Sequence, residues 1–221
     1  RPERLILTYD TMNGAKVRSL LDQADALGMT LARLPKLTDF KSGVADETAL
    51  EVKPVAVEDL LGRPQAALDR DAMDRLIRGR RVLLTGAGGS IGSELARQVS
   101  AFAPAELVLV DNSEFNLYSI DMDLSRHSPE TPRRAVLADV RDRTRLDEVF
   151  ADVSPELVFH AAALKHVPMV EANVVEGART NIRGTANVAE CCVSSGVDAM
   201  VLISTDKAVN PTSIMGATKR V

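Results

Sequence analysis

Apolar and polar positions alternate regularly from Arg80 to the end of the chain. Short apolar runs, which predict strands, occupy residues 82–85, 107–110, 135–138, 157–159 and 200–204. Between them lie segments with apolar residues at helical spacing, beginning near Ser90, Ser113, Asp142 and Asn173. Strands and helices that alternate through short loops predict an α/β fold, a doubly wound parallel sheet of the Rossmann type. Such a sheet binds ligands at the carboxyl ends of its strands.

A weaker pattern of the same kind precedes it. The apolar run 5–8 is followed by apolar residues at helical spacing up to Gly28, and the runs 30–33 and 52–57 predict further strands. Residues 1–68 are therefore interpreted as a partial α/β segment, either a fold whose first strands are missing or a stand-alone extension. Asp69 is suited to cap a linker helix over residues 69–79, which ends at Gly79 and leaves residues 80–221 as the second domain.

Composition and charge narrow the function. A net charge of -4, no Trp, two Tyr and five Phe do not favour nucleic-acid binding, which uses basic and aromatic surface. Cys191 and Cys192 are neighbours and cannot form an ordinary disulfide, so we expect a reducing cytoplasmic location. No run approaches the ~18 apolar residues of a membrane span. Because the chain lacks an initiator Met and Val221 falls within a predicted helix, we expect a piece of a longer protein.

A glycine cluster lies between the first strand of the second domain and the helix after it. Gly86, Gly89 and Gly92 have the spacing that allows a sharp turn, close approach of a pyrophosphate, and tight packing of helix on strand. Ser90 and Ile91 begin the helix, whose free N–H groups and positive dipole favour phosphate. These five residues are predicted to bind the cofactor. The alternative is a structural turn without a ligand.

An acid at the end of the second strand indicates which dinucleotide binds. Asp111 lies 19 residues after the last of these glycines, where an acid binds the ribose hydroxyls, and this favours NAD over NADP. Asp111 could instead be a capping residue, with Asn112 or Ser113 accepting a 2′-phosphate, although no Arg lies in this loop. Asp139 and Val140, after the third strand, are predicted to reach the adenine edge, unless Asp139 is a turn residue.

Four runs together resemble a known family. Residues 85–92, 160–168, 181–188 and 204–211 resemble the extended short-chain dehydrogenases, and within them the capsule and O-antigen dehydratases that act on UDP-N-acetylglucosamine. The resemblance covers about residues 80–221, and residues 1–68 are similar to the tail of the accessory Rossmann-like domain of large, membrane-anchored members. It implies an NAD(P)-dependent 4,6-dehydratase for a UDP-N-acetylhexosamine, with the parent protein a homo-oligomer anchored to the membrane and this part in the cytoplasm.

The resemblance implies catalytic roles for Thr205, Asp206 and Lys207, which follow the fifth strand. Hydride leaves sugar carbon 4, water is eliminated across carbons 5 and 6, and hydride returns to carbon 6. Lys207 would remove the proton from carbon 5 and also contact substrate, and Asp206 would protonate the leaving hydroxyl. As a base, Lys207 must lose its own proton, which requires burial or a nearby positive charge. The alternative is that Asp206 and Lys207 form a surface ion pair.

Met215 is the main departure from the superfamily pattern, which places Tyr four residues before Lys219. Its thioether cannot transfer a proton. Lys219 lies one helical turn after Met215 and is expected at the nicotinamide ribose. Met215 and Lys219 are both assigned to the catalytic site. Two candidates stand for the base of the oxidation step: Thr205 together with Lys219, or a water molecule.

The loop after the fourth strand adds further candidates. By the resemblance, Ala161, Ala162 and Lys165 contact the cofactor, and Lys165 also contacts the substrate. His160, predicted to pack at a strand end, belongs with His127 and His166 to a set of three histidines whose spacing offers no metal site. Asn181 is predicted either to bridge the fourth and fifth strands or to act in catalysis.

Two other functions compete with the dehydratase. A nucleotide-sugar epimerase or reductase would share the cofactor half, but the ten-residue spacing from Thr205 to Met215, with Lys207 between them and no Tyr, argues against it. A non-catalytic nucleotide-binding module is favoured by Met215. The residues that hold the UDP and the sugar are expected beyond Val221, so the substrate itself is not specified.

Overall fold

A computed structural model describes residues 3–7, 14–33, 53–54 and 69–221. The chain divides into two compact units, Arg1–Leu68 and Asp69–Val221. Among the helices in these ranges, none is both long enough and apolar enough to span a bilayer.

The first unit contains a strand–helix–strand element. β1 (Arg4–Leu7) pairs in parallel with β2 (Thr30–Arg33), and α1 (Gly14–Ala26) connects them. Among its described residues, Val17, Ala24 and Leu31 form a buried apolar cluster. Of the predicted run 52–57, only β3 (Lys53–Pro54) lies within the described residues, and it pairs antiparallel to β2.

The second unit alternates helices and strands. Its elements are α2 (Arg70–Ile77), β4 (Arg81–Thr85), α3 (Ser90–Ser100), β5 (Glu106–Asp111), α4 (Glu114–His127), β6 (Arg133–Leu137), α5 (Arg143–Val153), β7 (Leu157–His160), α6 (Val167–Ala172), α7 (Val174–Ala178), a π-helical segment (Arg179–Gly184), α8 (Thr185–Ser194), β8 (Ala199–Leu202), a 3-10 turn (Asp206–Ala208) and α9 (Ile214–Arg220).

Its five strands form one parallel sheet in the order β6-β5-β4-β7-β8. The predicted doubly wound α/β fold is confirmed. The chain reverses direction across the sheet between β4 and β7, so the loops that follow these strands diverge and leave a crevice between them. β6 begins two residues earlier than the predicted run, and β8 ends at Leu202 rather than at residue 204, where the chain leaves the sheet for the 3-10 turn.

The core lies on both faces of this sheet. In β4, Val82 and Leu84 pack on the face that α3 and α4 cover, whereas Leu83 packs on the face that α5 and α8 cover. Two buried faces explain why β4 is a continuous apolar run. α2, in the predicted linker helix over residues 69–79, packs on this unit, because Ile77 is fully buried in the first of these clusters. As predicted, Asp69 caps α2 through the Ala72 N–H, at 3.0 Å.

The region after β7 is more broken than its apolar pattern predicts. α6 was not predicted, and the single helix predicted from Asn173 consists of α7, the π-helical segment and α8. Asn181, in that segment, accepts the Leu164 N–H and donates to the Leu164 carbonyl and to Thr218 Oγ1. It therefore joins the loop after β7 to α9. The predicted bridge between the fourth and fifth strands is wrong, because Asn181 bonds to residues outside both strands.

Candidate functional site

The glycine loop after β4 is held against the loop after β7. Gly86 has a φ of 68°, and a Cβ there would lie 2.5 Å from the Ala162 nitrogen. A Cβ on Gly92 would lie 1.9 Å from the Gly86 carbonyl oxygen, so α3 packs directly on the turn. Gly89, the N-cap of α3, has an ordinary φ of -69°, and only the Gly86 oxygen, at 3.3 Å, lies within contact distance of a Cβ. Space at Gly89 is left for a ligand.

A cleft of about 390 Å³ lies beside this loop, at the carboxyl ends of the strands. The loops after β4, β5, β6 and β7 form it, together with α7 and the π-helical segment. Nine of the predicted cofactor residues line it: Gly86, Gly89, Asp111, Asn112, Ser113, Asp139, Val140, Ala161 and Ala162. The structure thus brings together the four loops in which the sequence analysis predicted cofactor residues.

Five predicted cofactor residues lie outside the lining: Ser90, Ile91, Gly92, Lys165 and Lys219. Ser90 and Ile91 are exposed in the first turn of α3, and Lys165 is exposed in its loop. Arg141, Glu176 and Thr180 line the cleft but were missed. Arg141 follows Asp139 by two residues and could have been considered, whereas no local pattern marks Glu176 or Thr180.

Both carboxylate oxygens of Asp111 accept backbone hydrogen bonds. Oδ2 accepts the Gly88 N–H and Oδ1 accepts the Ser113 N–H, each at 2.9 Å. The side chain, 8% exposed, therefore fixes the glycine loop to the start of α4. Each oxygen still has a free lone pair for a ligand hydroxyl. Capping and ribose binding, given above as alternatives for Asp111, are therefore compatible.

An ion-pair network lines the opposite wall. Arg141 donates to both oxygens of Asp139, the shortest contact being 2.6 Å from Nη2 to Oδ2, and Nη1 lies 2.6 Å from Glu176 Oε2. The Arg141 guanidinium lowers the pKa of Asp139. Asn112 also donates to Asp139, at 3.4 Å, so the loops after β5 and β6 are connected. A positively charged side chain, that of Arg141, therefore lines the cleft beside the loop after β6.

His160 connects β4 and β7 at the centre of the sheet. It packs at the end of its strand, as predicted. Nδ1 lies 2.6 Å from Thr85 Oγ1, and Nε2 lies 3.0 Å from Thr185 Oγ1. Burial, assisted by the positive charge of Lys219, lowers the pKa of His160 to about 4. The imidazole is therefore neutral at physiological pH.

The buried imidazole predicts a loss of stability in mild acid. In the unfolded chain His160 takes up a proton near pH 6.5, but in the folded chain only near pH 4. Stability is full above pH 6.5 and falls as the pH drops toward 4, by about 2 kcal/mol between pH 7 and pH 5. Chemical denaturation at the two pH values measures this. His160→Gln should remove the difference, while the exposed His166→Gln should keep it; an unchanged difference in His160→Gln would show that other groups cause it.

The turn after β8 carries the predicted catalytic residues. Thr205 Oγ1 donates to Asp206 Oδ1 at 3.0 Å, and Lys207 Nζ lies 3.6 Å from the same oxygen. The Thr205 hydroxyl and the Lys207 charge lower the pKa of Asp206, so its carboxyl group is ionised at neutral pH. Both charged side chains are exposed. The arrangement is the surface ion pair named as the alternative, and the Lys207 side chain is not buried.

α9 contacts this turn directly. Lys219 Nζ donates to the Ile203 carbonyl at 2.9 Å, and burial lowers the pKa of Lys219. A Cβ on Gly216 would lie 2.5 Å from the Lys207 carbonyl oxygen. Met215 is 2% exposed and packs in the interior. Lys219 and the residues Thr205 to Lys207 are thus brought to one edge of the sheet.

Comparisons with known proteins agree with this geometry. A sequence model of the family described as polysaccharide biosynthesis protein matches residues 82–221. The capsular polysaccharide biosynthesis protein CapD of Staphylococcus aureus is 42% identical over 100% of this chain and 37% of its own length. A UDP-N-acetylglucosamine 4,6-dehydratase (inverting) of Campylobacter jejuni is 34% identical over 65% of this chain and 42% of its own. The chain thus spans well under half of these relatives.

A solved structure shares the fold and holds a dinucleotide. The UDP-glucose 4-epimerase of Stenotrophomonas maltophila, crystallised with bound NAD and a formylated UDP-arabinopyranose, aligns with a TM-score of 0.58 and 25% identity. The alignment covers 64% of this chain and 46% of the epimerase.

Proposed function

Because this chain belongs to the polysaccharide biosynthesis protein family, we propose that it is the NAD-binding part of a nucleotide-sugar 4,6-dehydratase. The substrate is a UDP-N-acetylhexosamine and the product a 4-keto-6-deoxy sugar for cell-surface polysaccharide. The whole protein is a homo-oligomer, anchored to the membrane with this part in the cytoplasm. The dehydratase of Campylobacter jejuni among its relatives supports this proposal.

The observation that carries the proposal is the contact between α9 and the turn after β8. Lys219 bonds to Ile203, and Gly216 lies against Lys207, next to the sheet edge that holds the dinucleotide cleft. Ionisable groups at the carboxyl end of a strand, beside a cofactor crevice, are in position to act on a substrate there.

The cleft suits NAD. Gly89 leaves room beside the N-terminus of α3 for a diphosphate, and Asp111 has free lone pairs for ribose hydroxyls. NAD, when bound, would supply the hydride chemistry, accepting a hydride from sugar carbon 4 and giving it back at carbon 6. The residues of this chain would bind it and move the protons.

Lys207 removes the carbon 5 proton once a ketone stands at carbon 4, since the ketone acidifies that proton, and a proton returns to carbon 5 when the hydride reaches carbon 6. A sugar that covers the exposed turn separates Lys207 from water and favours its neutral form. Asp206 protonates the leaving hydroxyl, for which it must first gain a proton. In the free protein it is ionised, so the substrate has to displace the Thr205 and Lys207 contacts that lower its pKa. Thr205 with Lys219, or a water molecule, accepts the proton of the oxidised hydroxyl.

The assignment is tested by incubating the intact protein with UDP-N-acetylglucosamine and analysing the product by mass spectrometry and NMR. We expect the loss of one water and a 4-keto signal. A change of configuration at carbon 4 without loss of water would instead indicate an epimerase, the second candidate, which the similarity to the Stenotrophomonas structure favours. No change with any UDP-sugar would leave a nucleotide-binding module.

Cofactor choice is predicted to depend on Asp111. Asp111→Ala should weaken NAD binding by roughly 10- to 100-fold, the loss of a hydrogen bond to a charged group, and should reduce discrimination against NADP. Calorimetric titration with both dinucleotides measures this. Asp142→Ala is the matched control, because Asp142 caps α5 through the Arg145 N–H and lies outside the cleft lining. If the unchanged protein prefers NADP, the role given to Asp111 is wrong.

A further inference from the structure

Arg141 joins two walls of the cleft that are distant in sequence. Its guanidinium holds Asp139, in the loop after β6, and Glu176, in α7, at the same time. Glu176 Oε1 is also held by Arg179, at 2.9 Å. All three members of the Asp139–Arg141–Glu176 network line the cleft. A planar guanidinium with five donors can bind two carboxylates at once, which an ammonium on a flexible stem does less well.

The base of this wall is fixed, whereas its rim is exposed. Asn187 Nδ2 donates to the carbonyls of Val140 and Arg141, and a Cβ on Gly184 would lie 2.8 Å from Val140. The backbone of the loop after β6 is therefore anchored to the π-helical segment and α8. The side chains of Arg141 and Glu176 are 39% and 43% exposed. This ion pair can break and re-form without moving the backbone beneath it.

We infer that the Arg141–Glu176 ion pair is a clasp across the adenosine end of the cleft, which slows the dissociation of NAD. The adenosine half lies at this end because Asp111 and Asp139 follow β5 and β6. A ligand seated beneath the pair leaves only when Arg141 releases Glu176. The inference rests on the proposed function, which gives slow NAD release a purpose. A reaction that returns its hydride to the sugar does not need to release the cofactor.

The experiment measures the release of labelled NAD from the intact protein into an excess of unlabelled NAD. Glu176→Gln removes the charge but keeps the shape, and we expect release to become about threefold to tenfold faster, the range for a half-exposed, hydrogen-bonded ion pair. Arg141→Lys should accelerate it similarly. Glu190→Gln is the matched control, because the Arg143–Glu190 ion pair links α5 to α8 outside the cleft lining, and it should leave the rate unchanged.

Salt provides a second readout. Screening weakens an exposed ion pair, so NAD release from the unchanged protein and from Glu190→Gln should accelerate as salt rises. Release from Glu176→Gln should respond less. Equal rates and equal salt responses in Glu176→Gln and the unchanged protein would overturn the clasp. That outcome is independent of the proposed reaction, since a protein without a clasp can still form the 4-keto product, and one with a clasp can fail to form it.

Discussion

In the intact protein, Lys207→Ala is expected to slow the elimination of water by roughly 100- to 10,000-fold, the usual contribution of a positioned acid or base. NAD binding should change little, because Lys207, in the turn after β8, is assigned to proton transfer on the sugar and not to the dinucleotide. Exchange of the carbon 5 hydrogen with solvent deuterium reports the proton abstraction alone and is the decisive measurement.

Lys207→Arg is the matched control for this prediction. Arginine keeps the positive charge and the ion pair with Asp206 but does not lose its proton in a protein. If Lys207 is the base, the Arg variant is as inactive as the Ala variant. Lys219→Ala should differ from both, since it also weakens the cofactor. Should Lys207→Ala exchange the carbon 5 hydrogen at the parent rate, Asp206 or an ordered water must be the base.

Gly89→Asp should reduce NAD affinity by more than about 100-fold while the domain stays folded. The new carboxylate would lie where the diphosphate approaches the N-terminus of α3, and two like charges in a partly enclosed site repel strongly. The fold should tolerate the change because Gly89 has an ordinary φ and only one atom within contact distance of a Cβ. Aspartate is also a favourable N-cap. Calorimetric titration and thermal unfolding together separate the two effects.

Gly89→Asn separates charge from size. Asparagine has nearly the same shape and is an equally good N-cap, but it is neutral. We expect a smaller loss of affinity than with aspartate. If Gly89→Asp binds NAD like the unchanged protein, with its unfolding midpoint unaltered, the diphosphate lies elsewhere.

The fold was predictable because it depends on patterns that are local in sequence. Strands such as β4 and β7 are continuous apolar runs, since helices cover both faces of the sheet. The segmentation after Asn173 was not predictable, because it depends on contacts with distant residues. Gly184 packs on Val140 and Asn181 on Leu164, and neither partner is marked by the local pattern of that helix.

The candidate site also has residues that were predictable from local sequence and residues that were not. Gly86, Gly89 and Asp111 lie in a recognisable strand–turn–helix unit, and all three line the cleft. Glu176 reaches the cleft from a helix that follows a different strand, so its contribution depends on tertiary structure. The exposure of Lys207 also departs from the expectation for a base, since burial of a side chain is set by packing and by bound substrate rather than by a motif.

The strand order has a consequence for how the protein folds. β4 pairs with β5, close to it in sequence, but Thr85 and His160, which pair β4 with β7, lie 75 positions apart. The segment from β4 to β6 can assemble from neighbouring pieces, whereas the pairing with β7 must close a longer loop at greater entropic cost. Asp111 belongs to the early part and the Ala161–Ala162 wall to the late part. The proposed NAD site is therefore complete only in molecules in which both parts have assembled, and NAD binding should shift the folding equilibrium toward the complete sheet.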